Sequence, residues 1–250
     1  MRAAGYSLAP LPDPNQIPQD VDDRFVDLVR EMKNVGVLEM TQHTTYAAVD
    51  YVVRAGLAGD FVECGVYQGR QALMMAQALK AFGVLDRDIY LYDTFSGQIR
   101  PTIEDYKDKA KPEASFRANL ARWELGQVTG ASKSWKVATV EEVRTNVYRT
   151  GYPHERFHFV VGDVLRTLPN DRHVRIAVLR LDTDWYESTK WELASLYDKL
   201  VVGGVLIIDD YGRWRGCRKA VDEFFATLGA GAPLLVRTSG SERVCIKTAA

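Results

Sequence analysis

Between Ala177 and Tyr211 the chain reads AVLRL-DTD-WYESTKWELASLYDKL-VVGG-VLIIDDY, an order of blocks that few folds accommodate. Ala177–Leu181 and Val205–Ile208 are short, largely apolar runs of the kind buried on both faces of a parallel sheet. Between them, Trp185, Leu193, Leu196, Tyr197 and Leu200 fall at helical spacing, and Gly203-Gly204 is read as the helix stop. The unit is βαβ. Right-handed crossovers make its strands parallel, so Asp182, Asp184, Asp209 and Asp210 emerge at one sheet edge, where open α/β sheets bind ligands. Carboxylates crowded there repel one another and need a cation, which points to a hard metal site.

The chain has 250 residues, enough for one sizeable core. Lys+Arg 32 against Asp+Glu 33 gives a net charge of −1, and without a basic block a nucleic-acid partner is not expected. Apolar runs are strand-sized, so no membrane span is expected. The start is polar and Pro-rich (LAPLPDPNQIP), unlike a secretion signal. Cys64, Cys217 and Cys245 lack metal-type spacing and read as reduced thiols of a cytoplasmic protein.

In chain order, residues 1–18 read as an irregular arm and Asp20–Met32 as an amphipathic helix. A second helix opens at Thr41 or His43-Thr44 and closes near Gly56. Phe61–Val66 is the first sheet strand, followed by an E-x-G-x-x-x-G turn from Glu63 through Gly65 to Gly69 and a helix from Gln71 to about Phe82. The glycines admit a ligand to the backbone, and the helix offers free N–H groups. Asp88–Tyr92 is the next strand, ending in Asp93-Thr94-Phe95; an acid about thirty residues after the glycine turn is where a ribose diol is held.

Residues 96–150 depart from βα alternation, with helices expected at Ile103–Ala110, from Pro112 to about Leu125, and from near Thr139. The segment reads as a lid over the ligand edge, with Gly126–Ser134 mobile. Phe157–Val161 is a strand ending in Gly162-Asp163, followed by a short helix at Leu165–Leu168. Arg213–Leu228 is a helix, and Pro233–Arg237 with Arg243–Ile246 forms a terminal hairpin. His158 reads as a sheet residue, His154 as surface, and His43 as a candidate on the substrate side, even as general base. The resulting division is an arm and helix at 1–36 and a single domain at 37–250, with a lid-like insertion at about 96–150.

The segments GDFVECGVYQGR, IYLYDTFSG, VVGDV, LRLDTDWYEST and GGVLIIDDYGRWRGCRKAVDEFF resemble the macrocin O-methyltransferase (TylF-type) family over roughly residues 37–225. The resemblance implies an α/β, Rossmann-like class I methyltransferase fold. Its sheet is mostly parallel and seven-stranded, with an antiparallel C-terminal hairpin and helices on both faces. It implies S-adenosyl-L-methionine as methyl donor, Mg2+ or another divalent cation, and a hydroxyl acceptor on a natural product such as a deoxysugar of an antibiotic. Carried over by position, Met40, Thr41, Glu63, Gly65, Tyr67, Asp93, Thr94, Phe95, Asp163 and Asp182 bind the donor. Asp182, Asp209 and Asp210 hold the metal.

Chemistry agrees. Methyl transfer is an in-line displacement needing an oxygen aligned with the methyl carbon, and a metal that acidifies a sugar hydroxyl helps. Asp182, bordering metal and acceptor, is the expected general base. Asp184 is expected either to support the metal ligands from behind or to cap the next helix, and Tyr186, Glu187 and Tyr211 are expected pocket liners. A catechol-type aromatic O-methyltransferase and a nicotinamide oxidoreductase are the rival readings; the missing G-x-G-x-x-G and the surplus acids tell against the second. The arm and added helices suggest a homo-oligomer.

Overall fold

A computed structural model describes residues 21–32, 40–129, 137–168 and 175–249. Seven strands form one sheet: β1 (Asp60–Cys64), β2 (Ile89–Asp93), β3 (Phe157–Val161), β4 (Ile176–Leu181), β5 (Leu200–Ile208), β6 (Val236–Arg237) and β7 (Arg243–Ile246). Their spatial order is β3-β2-β1-β4-β5-β7-β6. The first five are parallel, and β7 runs antiparallel between β5 and β6. Chain order reverses between β1 and β4, so the crevice outside their carboxyl ends is the switch point of the sheet.

The apolar runs form strands because both sheet faces are covered. On one face α1 (Asp23–Glu31), α2 (Met40–Arg54), α3 (Arg70–Ala81) and α5 (Val140–Tyr148) pack on Phe61, Leu91, Val178, Val205 and Ile207. On the other, α6 (Val164–Thr167), α7 (Tyr186–Leu196) and α8 (Arg215–Leu228) cover Val62, Cys64, Leu179, Leu181, Leu206 and Ile208. Alternate strand residues thus feed two separate cores, as the period-2 geometry of a strand requires. Cys64, Cys217 and Cys245 are buried free thiols. Among the described residues no helix is long and apolar enough to cross a membrane.

Three local expectations differ from the structure. Residues 103–110 form turns, not a helix, because Asp105 is drawn inward: it accepts from Thr102 N (2.7 Å), the Thr102 hydroxyl (2.9 Å) and Tyr186 N (2.8 Å). Asp105 therefore caps α7 from a distant segment, satisfying an N–H that no residue of the helix entry serves. Gly203-Gly204 does not end a helix. After a 3-10 turn at Tyr197–Lys199, β5 begins at Leu200 and carries the pair inside it. There the β4–β5 register jumps from Ile176↔Leu200 to Val178↔Val205. Gly203 has φ 87°, and a Cβ on Gly204 would come within 2.8 Å of the Val201 carbonyl. The pair makes a bulge. The Pro233 strand shortens to Val236–Arg237.

The segment expected as a lid divides. α4 (Pro112–Thr129) is largely exposed and held by Trp123 Nε1 donating to Gln98 O (2.9 Å) and by Asn119 Nδ2 donating to Asp105 O (2.8 Å). α5, opened by a Thr139–Glu142 capping box, buries Val143 and Val147 in the same core as α3. The stretch expected to be mobile falls, from residue 130 on, outside the described residues.

Candidate active site

β1 delivers Glu63 and then Gly65 to the switch point. Gly65 has φ +85°, and a Cβ on it would lie 2.1 Å from the Asp182 carbonyl oxygen, so only glycine lets β1 and β4 run on together. At the end of β2, Asp93 accepts from Val66 N (2.7 Å), Tyr67 N (3.0 Å) and Phe95 N (2.8 Å). One carboxylate thereby ties two strand-end loops together. Tyr67 (φ 49°), Phe95 (φ 50°) and Asp184 (φ 69°) are the non-glycine residues with positive φ among those described. All three lie just past the carboxyl ends of β1, β2 and β4; such strain clusters where function over-determines the backbone.

These loops enclose a cavity of about 370 Å³, within the usual range for small-molecule sites. Thr41, Glu63, Gly65, Tyr67, Asp93, Thr94, Asp163, Asp182 and Asp209 line it, as expected from their positions. Phe95 is buried beside it against Phe159, contributing its backbone rather than its ring. Asp163 also caps α6 through Leu165 N (3.0 Å). Met40 opens α2, and its side chain lies outside the described set. Gln71 is a lining residue the sequence reading passed over: it is buried, accepts from the Thr45 hydroxyl at 2.7 Å and reaches Thr41.

The acids after β4 and β5 converge. Asp182, Asp209 and Asp210 each offer an oxygen within 4.8 Å of the others, aligned because Asp182 N donates to Cys64 O and Asp209 N to Leu181 O. Asp210 is buried, and neither of its carboxylate oxygens has a hydrogen-bond partner among the described residues. Burial, together with the charges of Asp184, Asp182 and Asp209, pushes its carboxyl well up. An orphaned carboxylate inside an acid trio is a donor set for a hard divalent cation, and the residues fit one.

Beneath the trio lies Arg180, absent from the sequence expectations. Its Nη2 donates to Asp182 (3.0 Å) and Asp209 (2.5 Å), its Nη1 to Glu242 (2.8 Å), and its Nε lies 3.6 Å from Glu63. Burial alone would lower its pKa, yet Asp209, Asp182, Glu242 and Glu63 hold the guanidinium charged. Glu63 is pushed well up by burial despite Arg180. The only hint in sequence was an arginine between Leu179 and Leu181 in an apolar strand.

Other expected residues sit elsewhere. Asp184 is not the cap of α7; it is buried and accepts from Trp214 Nε1 (2.8 Å), a neighbour of the trio. His43 packs edge-on against Phe25 at 5.1 Å and does not line the cavity, so the general-base alternative loses its support. His158 stacks on Tyr90 and bonds Asp88, and His154 is exposed and stacks on Tyr148. Tyr186 and Tyr211 turn their hydroxyls to Glu223 and Asp222, and Glu187 is exposed.

Glu192 on α7 is buried with no hydrogen-bond partner for either oxygen among the described residues. Burial pushes its carboxyl up to about 8, with the charges of Asp182 and Asp163 adding. The folded state therefore keeps a proton that the unfolded chain releases near 4.5. The group's stabilisation is full below that pH and declines by up to about 1.4 kcal/mol per pH unit on the way to the folded value. Glu192→Gln is expected to melt above wild type at pH 8, with the gap closing by pH 5, in thermal scans at both values; equal melting at both would refute the assignment.

Residues 31–236 match the sequence profile of the family described as Macrocin-O-methyltransferase (TylF). Among curated relatives, demethyldecarbamoylnovobiocin O-methyltransferase of Streptomyces niveus is 35% identical over 178 residues, 71% of this chain and 62% of that protein. The 8-demethyl-8-(2,3-dimethoxy-alpha-L-rhamnosyl)-tetracenomycin-C 4'-O-methyltransferase of Streptomyces olivaceus is 32% identical over 188 residues, 74% of this chain and 65% of that protein. The chain thus spans less than two thirds of the length of these relatives. The solved structure of the O-methyltransferase NovP superposes with a TM-score of 0.69 at 30% identity, covering 84% of this chain and 80% of that one.

Proposed function

Because the chain belongs to the macrocin O-methyltransferase family, we propose that it is an S-adenosylmethionine-dependent O-methyltransferase acting on a hydroxyl of a sugar borne by a natural product. The observation that carries this reading is the meeting, in one cavity, of the glycine turn after β1, the Asp93 carboxylate, Asp182 and Asp209, with buried Asp210 completing an acid trio against the last two. The likeness to rhamnose- and novobiocin-directed relatives supports the sugar class of acceptor.

In this reading Asp93 holds the ribose diol and Asp163 the adenine end. Glu63, Gly65, Tyr67 and Thr94 surround the methionine part and the sulfonium, with Met40 and Thr41 closing it from α2. Asp182, Asp209 and Asp210 would hold a divalent cation, Mg2+ by ligand type. Bound there, the ion would acidify the acceptor hydroxyl and fix its orientation. The acceptor oxygen attacks the methyl carbon in line with the departing sulfur, so a C–O bond forms as the C–S bond breaks. Asp182 takes the proton in the same proposal. Arg180 Nη2 donates to it at 3.0 Å and fixes its orientation. Gln98 and Ile99, fixed by Trp123 and Trp185, form the acceptor-side wall. The assembly is a homo-oligomer in the same proposal, readable by light scattering.

Calorimetric titration of S-adenosylmethionine into metal-free protein, repeated with Mg2+ and with nicotinamide dinucleotide as control, tests the donor. Donor binding without nicotinamide binding is expected, and its absence would refute the reading. Asp93→Ala should raise the donor Kd about 30-fold, the worth of charge-assisted hydrogen bonds totalling about 2 kcal/mol; an unchanged Kd would remove Asp93 from the ribose site.

A further inference from the structure

Glu242 lies in the turn of the C-terminal hairpin, beyond residue 236 where the family match ends. It is nonetheless completely buried. Thr238 Oγ1 donates to its Oε1 (2.7 Å), its own N–H donates to Ser239 Oγ (3.0 Å), and its Oε2 accepts from Arg180 Nη1 (2.8 Å). The turn is docked on the loop after the acid trio, with Gly212 N donating to Ser241 O (2.8 Å). Ser241 itself lines the cavity.

The guanidinium of Arg180 is a planar fork whose arms cannot move independently. Glu242 holds one arm, and the other arm then faces Asp182 and Asp209 together, whose side chains are 19% and 17% exposed against 1% for Arg180. A buried chain of charge therefore runs from the hairpin to the cavity floor. Glu242 also sets the local electrostatics. Arg180 is a fixed positive charge in contact with two acids meant for a divalent cation, and Glu242, hydrogen-bonded at 2.8 Å where Glu63 stands off at 3.6 Å, is the nearer of the two acids that offset that charge from behind.

We propose that Glu242 is a positioning residue of the active site: through Arg180 it orients Asp182 and Asp209 and offsets the guanidinium charge, so that the trio takes up a divalent cation. The inference rests on the metal-dependent reading above. It makes the hairpin part of the site rather than an edge closure of the sheet.

The test is Mn2+ binding, read from the free-ion signal in electron paramagnetic resonance, for wild type, Glu242→Gln and Thr238→Val, with S-adenosylmethionine affinity measured calorimetrically on the same metal-free samples. Glu242→Gln keeps the shape and removes the charge. It should raise the Mn2+ Kd about tenfold, the usual penalty for losing a partner behind the metal ligands, while the donor Kd stays within about twofold. Thr238→Val only loosens Glu242 and should raise the Mn2+ Kd about threefold, and it decides the matter should Glu242→Gln not fold. Wild-type Mn2+ affinity in a variant that still binds donor normally would reduce Glu242 to a structural residue. Wild-type protein that binds donor and no Mn2+ would overturn the metal reading and this inference together, leaving the donor site standing.

Discussion

Replacing Asp210 by asparagine is expected to lower turnover about a thousandfold, a loss of about 4 kcal/mol of electrostatic stabilisation, while donor affinity stays near wild type. The separation follows from position. Asp210 does not line the cavity, whereas Asp182 and Asp209 do, so the donor has no direct claim on it. Its oxygens find no hydrogen-bond donor in good geometry among the described residues, so asparagine keeps the side chain's shape and removes a carboxylate from the trio. Stability should even rise slightly, because burial next to three other acids makes the ionised form costly in the folded state. Single-turnover rates at saturating donor, with calorimetric donor affinity alongside, decide the point. Wild-type turnover would detach Asp210 from the chemistry, and a parallel loss of donor binding would mean that the trio shapes the donor site instead.

Gly65→Ala is expected to have the largest effect on the fold, above about 4 kcal/mol, the range reached when a buried backbone is forced apart. Two independent costs coincide at this glycine. Its φ of +85° is unfavourable for any residue with a Cβ, and that Cβ would lie 2.1 Å from the Asp182 carbonyl oxygen and 2.5 Å from its carbonyl carbon. No side chain can swing away, since the obstacle is the backbone of β4's exit. The variant should be insoluble, or should melt far below wild type without binding donor. Wild-type melting in a denaturant titration would show that β1 and β4 can separate here at little cost.

The strands and their terminal acids were legible because a parallel sheet covered on both faces writes each strand as an apolar run, and the carboxyl ends must then carry the polar residues. Glu63, Asp93, Asp163, Asp182 and Asp209 all reach one cavity for that reason. What escaped sequence reading were partnerships made across the chain. Arg180 looks misplaced within an apolar strand until Glu63 and Glu242 arrive from other elements to neutralise it. Asp105 reads as one more polar residue of an amphipathic helix, yet it serves the first N–H of α7 and leaves its own segment non-helical. Gly203-Gly204 follows a helix pattern and so resembles a stop signal, although its real constraint is the Ala177 strand alongside, 3.1 Å from where a Cβ of Gly204 would sit. His43 falls near the glycine turn in any α/β arrangement of this chain, but its helix turns the ring toward Phe25.

The placement of β4 beside β1 has a consequence for how the protein is made. β4 begins at Ile176, more than a hundred residues after β1 begins at Asp60. At ribosomal rates of about 5–20 residues per second, one edge of β1 waits bare for roughly ten seconds after β1 and β2 can pair. That edge presents unpaired backbone N–H and C=O groups, the kind that recruit other chains. It is also where Gly65 meets Asp182, so the nascent chain acquires its glycine turn early and its acid trio late. Until β4 arrives, that strand edge is the exposed site for misassembly during synthesis.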